Sequence, residues 1–151
     1  VASYFNAEMV ICDKHRKRAN EIASMAVIGD VEGRDIVLID DIVDTAGTLT
    51  RSAALLKEKG ARTVRAFCTH PVLSGEAYEN IEKSVLEELV VCDTIPLKRN
   101  CAKIRVVETA QLFAIAIRNT HENKSITSLF IHSQRRNALN QAAEQEIIHP
   151  I

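Results

Sequence analysis

The sequence predicts an α/β domain with a mainly parallel sheet flanked by helices, and three observations support this fold class. Short apolar runs alternate with amphipathic stretches, which is the order expected of strands connected by crossover helices. The run Ile36–Ile39 is apolar without interruption, as in a strand buried on both faces of a parallel sheet. The chain has 151 residues, of which 46% are hydrophobic and 26% charged, so it can bury the core of one globular domain.

The predicted elements follow one another along the chain. Short apolar runs are predicted to be strands at Met9–Cys12, Ile36–Ile39, Val64–Thr69, Leu89–Cys92 and Ile104–Val107. Helices are predicted at about 47–59, 75–81 and 109–120, with Thr109 as the N-cap of the last. The long polar connection 13–29 indicates a functional or disordered loop. The polar, helix-permissive segment 133–151 is expected to be a tail outside a domain at 1–132.

Charge and cysteine spacing narrow the class of protein. The formal net charge of -1 gives no general attraction to nucleic acid or to a membrane surface. No apolar stretch reaches transmembrane length, and no segment resembles a signal peptide. The cysteines are far apart and form no C-x-x-C pair, so free thiols are expected at Cys12, Cys68, Cys92 and Cys101, the first two of them buried. These features predict a cytoplasmic protein.

Residues 36–50 have the pattern of a ligand site. The apolar strand leads into Asp40 and Asp41, and the small, hydroxylated stretch Asp44–Thr48 precedes an amphipathic helix. Each part alone is ordinary, because paired aspartates often form a solvated turn and small residues often precede a helix. Together they place carboxylates and unpaired backbone amides at the carboxyl end of a parallel strand, where open α/β sheets bind ligands. A sugar phosphate, with hydroxyls at one end and a phosphate at the other, fits this arrangement.

The loop residues have separate expected roles. Gly47 would let the backbone approach a phosphate closely, and the hydroxyls of Thr45, Thr48 and Thr50 can act as further donors. We expect a valine at position 47 to block the phosphate and to strain the turn. The carboxylate of Asp44 is unexpected beside an anion; it suits a helix cap or a loop N–H, and the sequence leaves its contact open.

Several segments resemble one enzyme family. The stretch Val37–Thr48 closely resembles the phosphoribosyl-pyrophosphate binding motif of the ribose-phosphate pyrophosphokinases, also called phosphoribosyl-pyrophosphate synthetases. Thr69–Ala77, Asp13–Arg16 and Ser125–Phe130 are similar to further segments of the same family, so the resemblance covers roughly 5–132. It implies a phosphoribosyltransferase-like fold. It also implies that this chain is the C-terminal part of a longer protein, because the family builds its nucleotide site upstream of the matching segments.

The resemblance implies a reaction and a set of site residues. The family transfers diphosphate from ATP to the anomeric hydroxyl of ribose 5-phosphate, and its members form oligomers. Lys14 and Arg16 match the cations of the family's catalytic loop, and Ser125 and Thr127 match hydroxyl positions of a regulatory anion site. Asp40 and Asp41 match the pair that holds the ribose hydroxyls, directly or through Mg²⁺. The residues that match the 5-phosphate loop are Asp44, Thr45, Ala46, Gly47 and Thr48.

Two other functions also fit the sequence. A phosphoribosyltransferase would use the same loop to bind phosphoribosyl pyrophosphate, although Thr69–Ala77 matches the synthetases and no base-binding hood is evident. A non-catalytic, regulatory homologue would keep the fold and lose the chemistry, although Lys14 and Arg16 are retained. We expect this chain to be inactive alone, because no adenine-binding segment is recognisable in it. His70 and Ser74 are interpreted as a structural turn after a strand.

Overall fold

The computed structural model describes residues 7–15 and 24–130, and for residues 13–15, 24 and 25 it describes the backbone alone. The chain divides into two units, residues 1–107 and residues 108–151. In the part of the chain that is described, no helix is both long and apolar enough to cross a membrane. The tail predicted at 133–151 lies outside the described residues, and the predicted boundary at 132 stays a prediction.

The first unit contains a parallel sheet and a separate hairpin. Its elements are β1 (Ile11–His15), β2 (Ser24–Ile28), β3 (Asp35–Val43), α1 (Gly47–Glu58), β4 (Thr63–Pro71), α2 (Ala77–Lys83), β5 (Leu89–Cys92) and β6 (Ile104–Val107). The strands β3, β4, β5 and β6 lie in that order and pair in parallel, whereas β1 and β2 pair antiparallel. The predicted α/β class with a mainly parallel sheet is confirmed.

The core lies between one face of the parallel sheet and the helices α1 and α2. Alternate strand residues point to the same face, and the helices contribute apolar residues at helical spacing. The largest fully buried side chains include Val64, Cys68, Leu89 and Val91 from the strands and Leu56 and Ile81 from the helices. The chain leaves α1 at Gly60, whose φ of +90° favours glycine, and a Cβ added there would lie 3.2 Å from Glu32 Cγ.

The strand β3 differs from its prediction in length and in burial. It continues through both aspartates to Val43, because its ladder with β4 continues to the pair Val43 and Pro71. Ile36 and Leu38 pack against the core, but Val37 and Ile39 are 60% and 53% exposed. The prediction of burial on both faces is therefore wrong. The helices α1 and α2 cover the other face of the sheet, and the central strand β4 also has an exposed Arg65 and a half-buried Phe67 on its alternate positions.

The connection predicted as a loop at 13–29 is partly a hairpin. Its first residues extend β1 to His15, and residues 24–28 form β2, with Lys14 opposite Met25. The loop prediction is wrong for these residues, because the apolar run Met25–Ile28 had the composition of a strand. Residues 16–23 lie outside the described residues.

The described part of the second unit, residues 108–130, contains a helix and a short turn. The helix α3 (Ala110–His121) begins after Thr109, as predicted, but the Thr109 side chain makes no capping hydrogen bond. None of the residues of α3 is buried, and Phe113 and Ile117 are 55% and 69% exposed. A 3₁₀ turn follows at Thr127–Leu129.

Candidate functional site

The predicted carboxylate pair lies near the carboxyl end of β3. Asp40 and Asp41 are adjacent residues of β3, and both are exposed. The backbone N–H of Asp41 donates to Oδ1 of Asp40 at 3.0 Å. The buried Cys68 Sγ donates to the carbonyl oxygen of Asp41 at 3.6 Å. Burial raises the pKa of the Cys68 thiol, and the charges of both aspartates raise it further, so it remains a protonated donor.

The backbone turn of the predicted phosphate loop is made by Ala46. This residue is buried and left-handed, with φ 59° and ψ 1°, and it is the N-cap of α1. Gly47 begins the helix with an ordinary φ, and a Cβ added there would be 3.7 Å from its nearest neighbours, Arg51 and Thr45. The prediction that a valine at position 47 strains the turn is therefore wrong, since the strained residue is Ala46.

The start of α1 is suited to an anion. The first amides of a helix have no intrahelical acceptor, and the N-cap side chain of α1 makes no capping hydrogen bond. The first turn contains no acidic residue, so the positive end of the helix dipole is not neutralised there. Thr45 and Thr48 are exposed. The Thr50 hydroxyl, however, donates to the Ala46 carbonyl at 3.0 Å, so the prediction that it serves a ligand is wrong.

The carboxylate of Asp44 has a partner that the sequence did not suggest. Its Oδ1 accepts a hydrogen bond from the hydroxyl of Ser74, and its carbonyl accepts one from the Ser74 N–H at 3.1 Å. Neither a helix cap nor a loop N–H contacts it among the hydrogen bonds of the described residues. Ser74 belongs to the segment Thr69–Ala77, which therefore lies directly against the loop.

His70 has a structural contact at the end of β4. Its Nδ1 lies 3.0 Å from the hydroxyl oxygen of Thr94, and that hydroxyl donates to the Thr69 carbonyl at 2.8 Å. Because a hydroxyl has one hydrogen, Thr94 accepts from a protonated Nδ1 of His70. This bridge agrees with the interpretation of His70 as part of a turn.

The described structure does not test the predicted catalytic and regulatory residues. Lys14 lies on β1, where only its backbone is described, and Arg16 lies outside the described residues. Ser125 and Thr127 belong to the second unit, where the Ser125 hydroxyl donates to that of Thr127 at 2.9 Å. Their catalytic and regulatory roles stay predictions.

The described residues offer few metal ligands. They contain no group of three or more His, Cys, Asp or Glu side chains that could hold a metal ion. The pair Asp40 and Asp41 offers exposed oxygen ligands only. That donor set suits Mg²⁺, which binds one or two carboxylates and completes its shell with water and substrate phosphates.

The architecture defines the class to which the chain belongs. An open parallel sheet, with a small-residue loop and a helix N-terminus after its edge strand, is a phosphoribosyltransferase-like α/β domain. The chain belongs to the family described as the phosphoribosyl synthetase-associated domain, whose model matches residues 7–131.

Relatives and a solved structure agree with this family. The ribose-phosphate pyrophosphokinase of Campylobacter jejuni subsp. jejuni is 52% identical over 131 residues, which are 87% of this chain and 42% of that protein. The ribose-phosphate pyrophosphokinase of Xanthomonas axonopodis pv. citri is 53% identical over 129 residues, 83% of this chain and 40% of the relative. The crystal structure of phosphoribosylpyrophosphate synthetase from Mycobacterium smegmatis matches this chain with a TM-score of 0.67 and 34% sequence identity. The match covers 74% of this chain and 37% of the synthetase chain. The resemblance seen in the sequence is confirmed, and the chain spans about two fifths of the length of these proteins.

Proposed function

We propose that this chain supplies the ribose-phosphate site of a ribose-phosphate diphosphokinase, which transfers diphosphate from ATP to ribose 5-phosphate and releases AMP. The observation that carries the proposal is the sequence of features from β3 into α1. Two exposed carboxylates precede a left-handed turn at Ala46, and the following helix begins with no acidic residue in its first turn. The carboxylates, which can bind hydroxyls, and the start of α1, which can bind an anion, are thus separated by a few residues.

Each end has a distinct task in the reaction. The backbone amides of Thr45, Ala46, Gly47 and Thr48 hold the 5-phosphate, and Asp40 and Asp41 accept hydrogen bonds from the ribose hydroxyls. The anomeric oxygen attacks the β-phosphorus of ATP, and the bond from that phosphorus to the oxygen of the α-phosphate breaks with AMP as leaving group. The proton of the anomeric hydroxyl is released to water. Such a transfer depends on positioning and on charge stabilisation.

Two kinds of cation are assigned to stabilise the negative charge of the transferring phosphates. Lys14 and Arg16 are the cations of the chain that match the family's catalytic loop, and Arg16 has the fork geometry for phosphate oxygens. Mg²⁺, when bound with Asp40 and Asp41 among its ligands, would neutralise negative charge on the phosphates. The cytoplasmic location and the homo-oligomeric assembly expected from the sequence stay predictions.

Calorimetry with ribose 5-phosphate tests the proposed ligand. We expect binding that inorganic phosphate competes away and that ribose without a phosphate does not reproduce. Gly47→Val should abolish it, because a β-branched side chain would occupy the phosphate position while the protein itself has room for the Cβ. Glu58→Val introduces the same residue at the exposed far end of α1 and should bind normally. Unchanged affinity in a folded Gly47→Val protein would contradict the proposal.

The two alternative functions predict different products. A phosphoribosyltransferase would release pyrophosphate from phosphoribosyl pyrophosphate when a nucleobase is added, and a regulatory homologue would bind the sugar phosphate without turnover in any assembly. The relatives described above are named ribose-phosphate pyrophosphokinases, which favours the diphosphokinase. Measurement of AMP and of pyrophosphate in parallel distinguishes the three.

A further inference from the structure

The residues that follow β3 are tied to the segment after β4 by a continuous set of hydrogen bonds. Successive carbonyls accept from this segment: Val43 from the Leu73 N–H at 3.2 Å, Asp44 from the Ser74 N–H at 3.1 Å, and Thr45 from the Asn80 side-chain amide at 3.0 Å. The Ser74 hydroxyl adds a further bond to the Asp44 carboxylate. Three neighbouring peptide groups are therefore held from one side.

These bonds determine where the neighbouring amides point. A trans peptide is planar, and its C=O and N–H groups point in opposite directions. All peptide bonds in the described residues are trans. Because the carbonyls of residues 43, 44 and 45 point toward the segment 73–80, the N–H groups of Asp44, Thr45 and Ala46 point away from it. Successive amides directed to one side form an anion-binding concavity, continuous here with the start of α1.

Three successive amides of the loop and the helix start have no backbone acceptor in the described part of the chain. They are the N–H groups of Thr45, Ala46 and Gly47. The left-handed conformation of Ala46 costs free energy, so it persists only where its surroundings hold it. Leu73 is also left-handed, with φ 45°, and its side chain is buried in the core, which anchors the segment that makes the contacts.

We propose that the segment 73–80 is a positioning brace for the 5-phosphate loop, with Ser74 and Asn80 as its side-chain contacts. Asp44 belongs to this brace, since its carboxylate accepts from Ser74, and it does not contact the phosphate. The inference rests on the proposed function. Preorganisation of this kind increases affinity because the loop does not have to be ordered when the ligand binds.

Substitutions in the brace test it through ligand affinity. Asn80→Ala and Ser74→Ala should each weaken ribose 5-phosphate binding about tenfold in calorimetry, as expected for loss of a positioning hydrogen bond. Inorganic phosphate should lose affinity by a similar factor, because it uses the same amides. Ser74→Thr keeps the hydroxyl and should retain binding. Ser84→Ala removes a serine hydroxyl that bonds to the Ile81 carbonyl, away from the loop, and should bind normally.

A second readout separates positioning from general stability. In the ligand-free protein, Asn80→Ala should shift the ¹H–¹⁵N resonances of Thr45 and Ala46, whereas Ser84→Ala should leave them unchanged. Melting temperatures identify any variant that fails to fold; Asn80 lies on the partly exposed side of α2, so its alanine variant carries the test if Ser74→Ala is unstable.

The outcomes distinguish this inference from the proposed function. If the unaltered chain binds ribose 5-phosphate and folded Ser74→Ala and Asn80→Ala bind it equally well, the brace is wrong and the proposed function stands. If the unaltered chain binds neither ribose 5-phosphate nor phosphate, the proposed function is wrong and the brace is wrong with it. Weakened binding in both variants, with normal binding in Ser84→Ala and Ser74→Thr, supports the brace.

Discussion

Ala46 shows how a single residue sets the geometry of the loop. Its left-handed backbone is one that glycine adopts without strain, yet the residue is only 4% exposed and belongs to the core. The strain of about 1–2 kcal/mol and the burial of the methyl group therefore oppose each other. An alanine is tolerated here because both its conformation and its side chain are held by neighbouring elements.

We predict that Ala46→Gly changes the free energy of unfolding by less than about 1 kcal/mol, because relief of strain and loss of the methyl group offset each other. Ala46→Val should destabilise the protein by more than about 2 kcal/mol, since a β-branched residue fits neither the backbone nor the space. Urea unfolding of both variants measures this difference. A valine variant as stable as the glycine variant would contradict the strain at this position.

Gly47 allows stability and binding to be separated. Its φ is ordinary and a Cβ would meet nothing closer than 3.7 Å, so Gly47→Ala should stabilise the chain by about 0.4–1 kcal/mol through reduced freedom of the unfolded state. The same methyl group should weaken binding of ribose 5-phosphate. Thermal unfolding and calorimetry on one sample test both effects. A less stable variant would show that position 47 does require glycine.

At the level of elements, the strands β3 and β4 are joined at their amino ends by a charged cluster. Asp35 accepts from Arg62 Nε at 2.8 Å and from the Thr63 hydroxyl at 2.7 Å. The hydrogen bond from Arg62, followed by that from Thr63, holds the pKa of Asp35 well below its usual range. A carboxyl whose pKa is lower in the folded state contributes stability above its unfolded pKa.

This contribution predicts a specific pH dependence. The stability that the ionised Asp35 contributes should be fully present above about pH 5. It should be lost as the pH falls below about 3.9, toward the pKa of Asp35 in the folded state. The difference in stability between the unaltered chain and Asp35→Asn should therefore narrow on acidification. Glu58→Gln replaces an exposed carboxylate for which the described residues show no ion pair. The difference in stability between the unaltered chain and this variant should therefore not narrow in the same way. Denaturant midpoints between about pH 6 and pH 2.5 test this. If the denaturant midpoints of Asp35→Asn and Glu58→Gln changed with pH in parallel, the predicted contribution of Asp35 would be contradicted.

The two faces of β3 should respond differently to the same substitution. Ile39 is 53% exposed, so Ile39→Thr should change the free energy of unfolding by at most about 0.5 kcal/mol. Leu38 packs against the core, and Leu38→Thr should cost about 1–3 kcal/mol, because apolar contacts are lost and a hydroxyl is partly buried. Threonine suits strands, so strand propensity does not explain the difference. Equal losses in chemical denaturation would show that both faces of β3 are packed.

At the scale of the whole molecule, we consider the activity of the purified chain by itself. It spans about two fifths of their length, and no adenine-binding segment is recognisable in its sequence. We predict that the purified chain binds ribose 5-phosphate but releases no AMP from ATP and Mg²⁺, since transfer requires both substrates to be held in line. Loss of that positioning removes about 7 kcal/mol or more of barrier lowering. AMP release by the chain alone would contradict this prediction.

Local patterns in the sequence were sufficient for the fold class, for most strands and helices, and for the position of the loop that joins β3 to α1. Apolar periodicity and small residues before a helix act over a few positions, so they can be read without knowing the fold. The hairpin was missed where an apolar run, Met25–Ile28, stood in a polar stretch that suggested a loop. The exposed face of β3 was not predicted, because an apolar run does not show whether helices cover one face of the sheet or both.

Only the tertiary structure decided how the loop is held. The partner of Asp44 is 30 residues away and that of Thr45 is 35 residues away, and no local pattern specifies such pairs. The direction of the loop amides follows from these distant contacts through the planarity of the peptide group. The sequence by itself therefore determined which residues form the candidate site, whereas the packing of the segment after β4 against the end of β3 determined which way they face.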